Sequence, residues 1–122
     1  MQPEDRDPAY LWDMLQAAKE VETMLDGYDL SAFLADIVII RAVERSVEII
    51  GEAARCVSMA YREAHTEVAW REIIGQRNIL AHEYGQIDHD LLYKTAIEDI
   101  PDLIKIIQNL LPPLESENNF LK

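Results

Sequence analysis

Only one cysteine, Cys56, occurs in the sequence. An internal disulfide is therefore excluded, and with it a disulfide-stapled scaffold; the usage fits a reducing compartment. Glycine and proline are sparse, at four and five residues, and no stretch sustains the alternation of apolar and polar residues that a half-buried strand requires. These absences favour helices. Long apolar runs are missing too: none exceeds four residues, as in Ile37-Val38-Ile39-Ile40, far short of the roughly 20 that cross a bilayer. Met1 to Asp7 is acidic and polar, with nothing of a signal peptide. A soluble, cytoplasmic protein without membrane contact is expected.

Positive charge is also scarce. Eleven basic residues face 23 acidic ones, for a formal net charge of −12, which excludes the broad basic groove of a non-specific nucleic-acid binder. The deficit is uneven. Residues 41–82 carry six arginines and six glutamates, so all of the net charge falls on the rest of the chain. Every basic residue in that neutral segment is arginine, the side chain suited to bidentate phosphate contacts. A local phosphate site is compatible with this distribution.

What is present is apolar residues, 49% of the chain, at helical spacing. The first helix is predicted from Asp7 as N-cap with Pro8 at the first helical position, with Leu11, Leu15, Ala18, Val21 and Leu25 on one face and Gly27 as the stop. A second helix is predicted from about Ser31 to about Arg62. Its stripe runs from Phe33 and Ile37 through Ile40, Val43, Val47, Ile50 and Ala54 to Val57 and Tyr61. Val38, Ile39, Ile49 and Ala53 lie off that stripe, so this helix should be covered on more than one side, by the core or by a second subunit. Cys56 lies in this apolar-rich run, where a small buried thiol is expected rather than a nucleophile.

A third helical region is predicted from Thr66 or Glu67, with a turn near Trp70 and an end at Gly85. Asp88 is the expected N-cap of the last helix, and Pro101 is expected to kink or restart it. Pro112-Pro113 should end it, leaving Glu115 to Lys122 as a polar tail. The predicted fold is all-α, a four- to five-helix up-down bundle forming one domain over residues 1–122, with its core in about 8–111.

Few residues are arranged for chemistry. His65 and His89 fall near predicted helix ends, where histidine is ordinary. No two histidines sit at i, i+4 beside a glutamate as a zinc helix requires, and no phosphate-cradling glycine loop or nucleophile elbow is present. No metal or cofactor is called for. Residues 77–84 differ: Arg77, Asn78, His82 and Tyr84 bring a permanent cation, an amide, a group titrating near neutrality and a phenol into eight positions. At about 100° per residue, Arg77 and Tyr84 fall about 20° apart and Asn78 and His82 about 40°, but Arg77 and His82 are about 140° apart. Local geometry does not join the arginine and the histidine; a loosened helix end or a two-fold dimer would. The stretch also reads as an amphipathic helix end whose histidine caps carbonyls and whose arginine pairs with a carboxylate.

Arg77, four residues, His82, one residue and Tyr84 resembles the Arg-x4-His-x-Tyr signature of the HEPN superfamily, in particular the HepT-like toxin family. The likeness extends to Arg41-Ala42-Val43-Glu44-Arg45, to Glu48-Ile49-Ile50-Gly51-Glu52-Ala53-Ala54, to Trp70-Arg71-Glu72-Ile73-Ile74-Gly75 and to Asp88, and so spans residues 8–111. It implies a HEPN-like bundle, a homodimer, and a metal-independent endoribonuclease acting on RNA. Arg77 and His82 would be catalytic, and Asn78 would orient the histidine or the phosphate. It further implies a type VII-like toxin–antitoxin module, in which a small nucleotidyltransferase antitoxin silences the toxin by AMPylation of Tyr84. Two departures are visible. Ala69 stands where the family often has proline. Glu83 stands where a small residue is common, and an acid there raises the proton affinity of His82 and repels RNA phosphate. The other readings are a non-catalytic module binding a nucleotide or a partner in the same cleft, and a helical adaptor, which leaves the residue choice at 77–84 unexplained.

Overall fold

The computed structural model describes residues 3–75 and 88–111. A 3₁₀ turn at Pro3–Arg6 leads into α1 (Asp7–Leu25), followed by α2 (Leu30–Leu34), α3 (Ile37–Cys56) and α4 (Met59–Ala64). Residues 70–75 are helical (α5), and α6 spans His89–Leu110. No strand occurs among the described residues. The described residues form a helical bundle, with α1 packed along α3 and α6 and the short α2 resting on both of the latter.

The core follows the predicted faces of α1 and α3. Leu11, Leu15, Ala18, Val21 and Leu25 of α1 are all buried, joined by Met14 and Ala17. From α3 come Ile40, Val43, Val47, Ile50 and Ala54, and from α6 Leu92, Ala96, Ile100, Leu103, Ile104 and Ile107. Phe33 of α2 is fully enclosed, its ring 5.2 Å from that of Tyr93, whose hydroxyl donates to the Tyr28 carbonyl at 2.7 Å. Burying such a ring contributes about 3 kcal/mol, which lets a helix of five residues hold its place.

The predicted long helix over 31–62 is instead three helices, and capping explains the breaks. Asp29 accepts from the Ala32 amide at 2.8 Å, Asp36 from the Ile39 amide at 3.1 Å, and Ser58 from the Tyr61 amide at 3.2 Å. Each short polar side chain satisfies a first-turn amide better than a continuing helix would, so the chain restarts. The apolar stripe crosses both breaks, with Phe33 before them and Val57 within the second both buried. Ile37, placed on the stripe by spacing, is 54% exposed, because it is the first residue of the restarted α3. Of the off-stripe residues, Ala53 is buried and Ile39 and Ile49 are half-buried, whereas Val38 is 73% exposed.

Three further expectations change. Cys56 is exposed, not buried; it lies two residues beyond the fully enclosed Ala54, about 200° round the helix. Asp7 does not cap α1, whose N-cap is Arg6, because the 3₁₀ turn runs straight into the helix. Nor does the third helical region start at Thr66 or Glu67: residues 66–69 form a turn and the helix begins at 70, after Val68 has been buried.

Asp88 does cap α6, accepting from the Leu91 amide at 3.1 Å. That helix runs through Pro101 without restarting. Proline removes the donor for the Ile97 carbonyl, and Ile97 is itself exposed, so water can take its place. Gly27 ends α1 as expected, with φ +82, a backbone region that glycine enters without penalty. Gly85, Pro112-Pro113 and the tail from Glu115 to Lys122 lie outside the described residues.

Candidate functional site

Arg77, Asn78, His82 and Tyr84, together with Glu83, lie outside the described residues. What the structure shows is the frame on either side of them in the chain.

On the N-terminal side the frame starts from a buried acid. Asp7, 1% exposed, accepts from the Ser58 amide at 2.8 Å and from the Ser58 hydroxyl at 2.7 Å. One oxygen of Ser58 thus caps α4 while giving its proton to the first residue of α1. From α4, Tyr61 stacks on His65 with ring centroids 4.1 Å apart and meets Trp70 edge-on at 6.5 Å. The Trp70 indole donates to the His65 carbonyl at 2.9 Å, closing the turn before α5. Burial raises the Tyr61 phenol above its ordinary pKa, with smaller contributions from Glu67 and Asp7. His65 stands 3.3 Å, backbone to backbone, from the Arg62 carbonyl and 3.8 Å by its Nδ1 from Glu67; it is part of this aromatic corner.

On the C-terminal side, His89 opens α6 with Nε2 at 3.6 Å from Glu44, which also receives Arg41 Nη1 at 2.9 Å. Arg45 continues the series along α3, 3.8 Å from Glu48 and 3.4 Å from Glu52. This contact links the head of α6 to α3. Neither this contact nor the Asp7–Ser58 link is legible in the sequence, since each joins residues more than 40 positions apart with no motif between them.

Between α3, α5 and α6 lies a cleft of about 210 Å³. Its floor is apolar, built from Val47, Ile50, Ile73 and Leu103, and its rim carries Glu67, Glu72, Asp99 and Asp102. Four carboxylates around an apolar floor repel phosphate, so the described part of this cleft is no phosphate site. No cluster of three or more His, Cys, Asp or Glu able to hold a metal ion occurs among the described residues, and none of the described helices is long and apolar enough to cross a membrane.

The profile of the HepT-like ribonucleases (Ribonuclease HepT-like) matches residues 14–110, most of the chain and the whole of 77–84. The chain belongs to this family. It is similar to a candidate RNase of Methanocaldococcus jannaschii, with 40% identity over 82% of this chain and 92% of the relative. A candidate RNase of Caldanaerobacter subterraneus subsp. tengcongensis is 36% identical over 84% of this chain and 91% of its own. A Thermococcus cleftensis protein named "Probable ribonuclease HepT" is 37% identical over 77% of this chain and 86% of its own. No solved structure matches the chain.

Proposed function

We propose that the chain is a metal-independent endoribonuclease, the toxin of a type VII-like toxin–antitoxin module, acting in the cytoplasm as a homodimer. The observation that carries this reading is the Arg77-x4-His82-x-Tyr84 pattern lying inside the segment that matches the HepT-like ribonucleases.

RNA supplies its own nucleophile. The 2′-hydroxyl attacks the adjacent phosphorus, a base removes its proton, the bond to the 5′-oxygen breaks, and an acid protonates that leaving oxygen. The products are a 2′,3′-cyclic phosphate and a 5′-hydroxyl. His82, with an ordinary pKa near 6.5, suits either proton transfer, and a dimer supplies two copies, one for each. A positioned acid or base contributes about 10²–10⁴-fold. Arg77 pairs with the phosphoryl oxygens and offsets charge in the transition state, and Asn78 orients His82 or the phosphate. The partner that controls the site is a small nucleotidyltransferase: the Tyr84 hydroxyl, giving up its proton, attacks the α-phosphorus of ATP, and pyrophosphate leaves. The added bulk and negative charge then occupy the place of RNA phosphate.

The test is expression of the wild type beside His82→Ala in the same cells, with RNA ends mapped and cleavage repeated in chelator. Growth arrest and cyclic-phosphate ends, both lost in His82→Ala and insensitive to chelator, are expected. Cleavage that requires added divalent metal refutes the mechanism. A second reading, a non-catalytic module that binds a nucleotide or the nucleotidyltransferase, is favoured by the net charge of −12 and by Glu83; equal harmlessness of both proteins would establish it.

A further inference from the structure

The cleft between α3, α5 and α6 combines an apolar floor with acids that the described chain does not neutralise. Ile50 and Leu103 are buried at its base, and Ile73 and Ile106 are half-buried. Glu67 and Glu72 stand on the α5 side, and Asp99 and Asp102 on the α6 side. All four acids are exposed. Among the described residues, Glu72, Asp99 and Asp102 have no ion-pair partner, and Glu67 has only His65, whose Nδ1 is 3.8 Å away. The acids along α3 differ: Glu44, Glu48 and Glu52 reach Arg41 or Arg45 at 2.9, 3.8 and 3.4 Å. No described arginine or lysine lines the cleft.

We infer that this cleft is the docking site for a basic amphipathic segment of a partner protein. One bulky apolar side chain of that segment rests on the floor, and its lysines or arginines meet the acids on either side. The size fits a single anchor. At about 210 Å³ the cleft is smaller than the roughly 300–1,000 Å³ of sites that enclose drug-sized ligands. An apolar anchor in a pocket ringed by polar groups is the usual centre of a protein interface. The acids supply the complementary charge that steers a basic segment in and fixes its register.

Other occupants fit less well. The four carboxylates repel RNA phosphate, and a second copy of the chain arrives with a net charge of −12. Residues 112–122, which follow α6, hold two glutamates against one lysine. A linear polyamine has the right charge, but the ammonium groups spaced along its aliphatic chain would lie on apolar side chains, at a cost in desolvation. The docking site stands whether or not residues 77–84 cleave RNA. It adjoins them in the chain, since Ile73 is four positions before Arg77.

The test titrates the full chain with a fluorescein-labelled helical peptide in which one phenylalanine is flanked by lysines at i±3 and i±4. A second peptide keeps the lysines and has alanine for the phenylalanine. Two variants change only exposed positions of the cleft, Ala69→Arg and the double variant D99N/D102N, with circular dichroism to establish folding. Fluorescence anisotropy should show the wild type binding the first peptide, and the second at least roughly tenfold more weakly. At low salt each variant should bind the first peptide about threefold or more weakly than the wild type. Equal binding of the two peptides means charge alone and overturns the anchor. Equal binding by wild type and both variants places the peptide elsewhere and overturns the cleft, as does a wild type that binds neither peptide. Spermidine that binds the wild type more tightly than the peptide, and D99N/D102N more weakly, replaces the protein segment with a small cation. A wild-type dimer that sediments as a monomer in Ala69→Arg replaces it with a second copy.

Discussion

Replacing Asp7 by alanine removes one buried acid and leaves two donors of Ser58, 51 positions away, without their acceptor. Asp7 is 1% exposed, and its two oxygens accept at 2.8 and 2.7 Å. A hydrogen bond to a charged group contributes about 1.5–3 kcal/mol, and a deserted buried donor costs about 1–3. Ser58 is half-buried, so water recovers part of that loss. The expected destabilisation of Asp7→Ala is therefore about 2–4 kcal/mol. For a chain of this size that is a drop in Tm of roughly 10 °C. Ser58→Ala should cost less, about 1–2 kcal/mol, the usual cost of losing an N-cap, because its amide still reaches Asp7. The hydroxyl bond is lost in both single variants, so the double variant should recover about 1–2 kcal/mol relative to the sum. Thermal and urea unfolding of the four proteins measure each quantity. A loss below about 1 kcal/mol for Asp7→Ala, or strict additivity in the double variant, refutes the claim that this link secures α4 to α1.

The other predictions concern Tyr84, the core and a surface pair. Tyr84→Phe should cleave RNA like the wild type and escape silencing by the nucleotidyltransferase; AMP found on that variant by mass spectrometry refutes the assignment. Phe33→Ala should lose about 3–5 kcal/mol in urea unfolding, since its ring is fully enclosed and touches Tyr93; a loss under 1 kcal/mol would mean that α2 is not anchored by it. The Tyr28 hydroxyl donates to Asp36 at 2.8 Å, which holds the Asp36 carboxyl below its ordinary range and raises the Tyr28 phenol. A depressed carboxyl stabilises the fold above its unfolded pKa, and that contribution disappears as pH falls below about 4. A raised phenol stabilises below about 10 and loses that contribution as pH rises further. Tyr28→Phe should therefore flatten the stability profile at both extremes; an unchanged acid limb would show that the pair has no effect on folding.

Which parts of this architecture can be read along the chain depends on the range of the interaction that makes them. The face of α1 is local: a residue at every third or fourth position is enough to mark Leu11, Leu15, Ala18 and Val21, and they are buried as marked. The cap at Asp88 and the stop at Gly27 are local for the same reason. The breaks in the second helical run were also written locally, in Asp29, Asp36 and Ser58, but periodicity conceals them. An apolar stripe interrupted by two residues keeps nearly the same phase, so spacing alone joins α2, α3 and α4 into one rod. Side-chain capping acts on single amides and decides otherwise. The same competition accounts for Asp7, which has the residue type of an N-cap and a proline behind it, yet serves a helix that begins at Met59.

The candidate site divides along the same line. Its residue types and spacing are local, and so Arg77, Asn78, His82 and Tyr84 stand out in the sequence and fall within the family match. What would assemble them is not local. About 140° separates Arg77 from His82 on a regular helix, so a functional pair needs a contribution from outside that turn, such as a second copy of the chain. Arg77→Ala and His82→Ala chains, each inactive alone, should then regain part of the RNA cleavage when mixed, because a mixed pair still sets one arginine against one histidine. If the mixture stays as inactive as its parts, the arginine and histidine must meet within one chain.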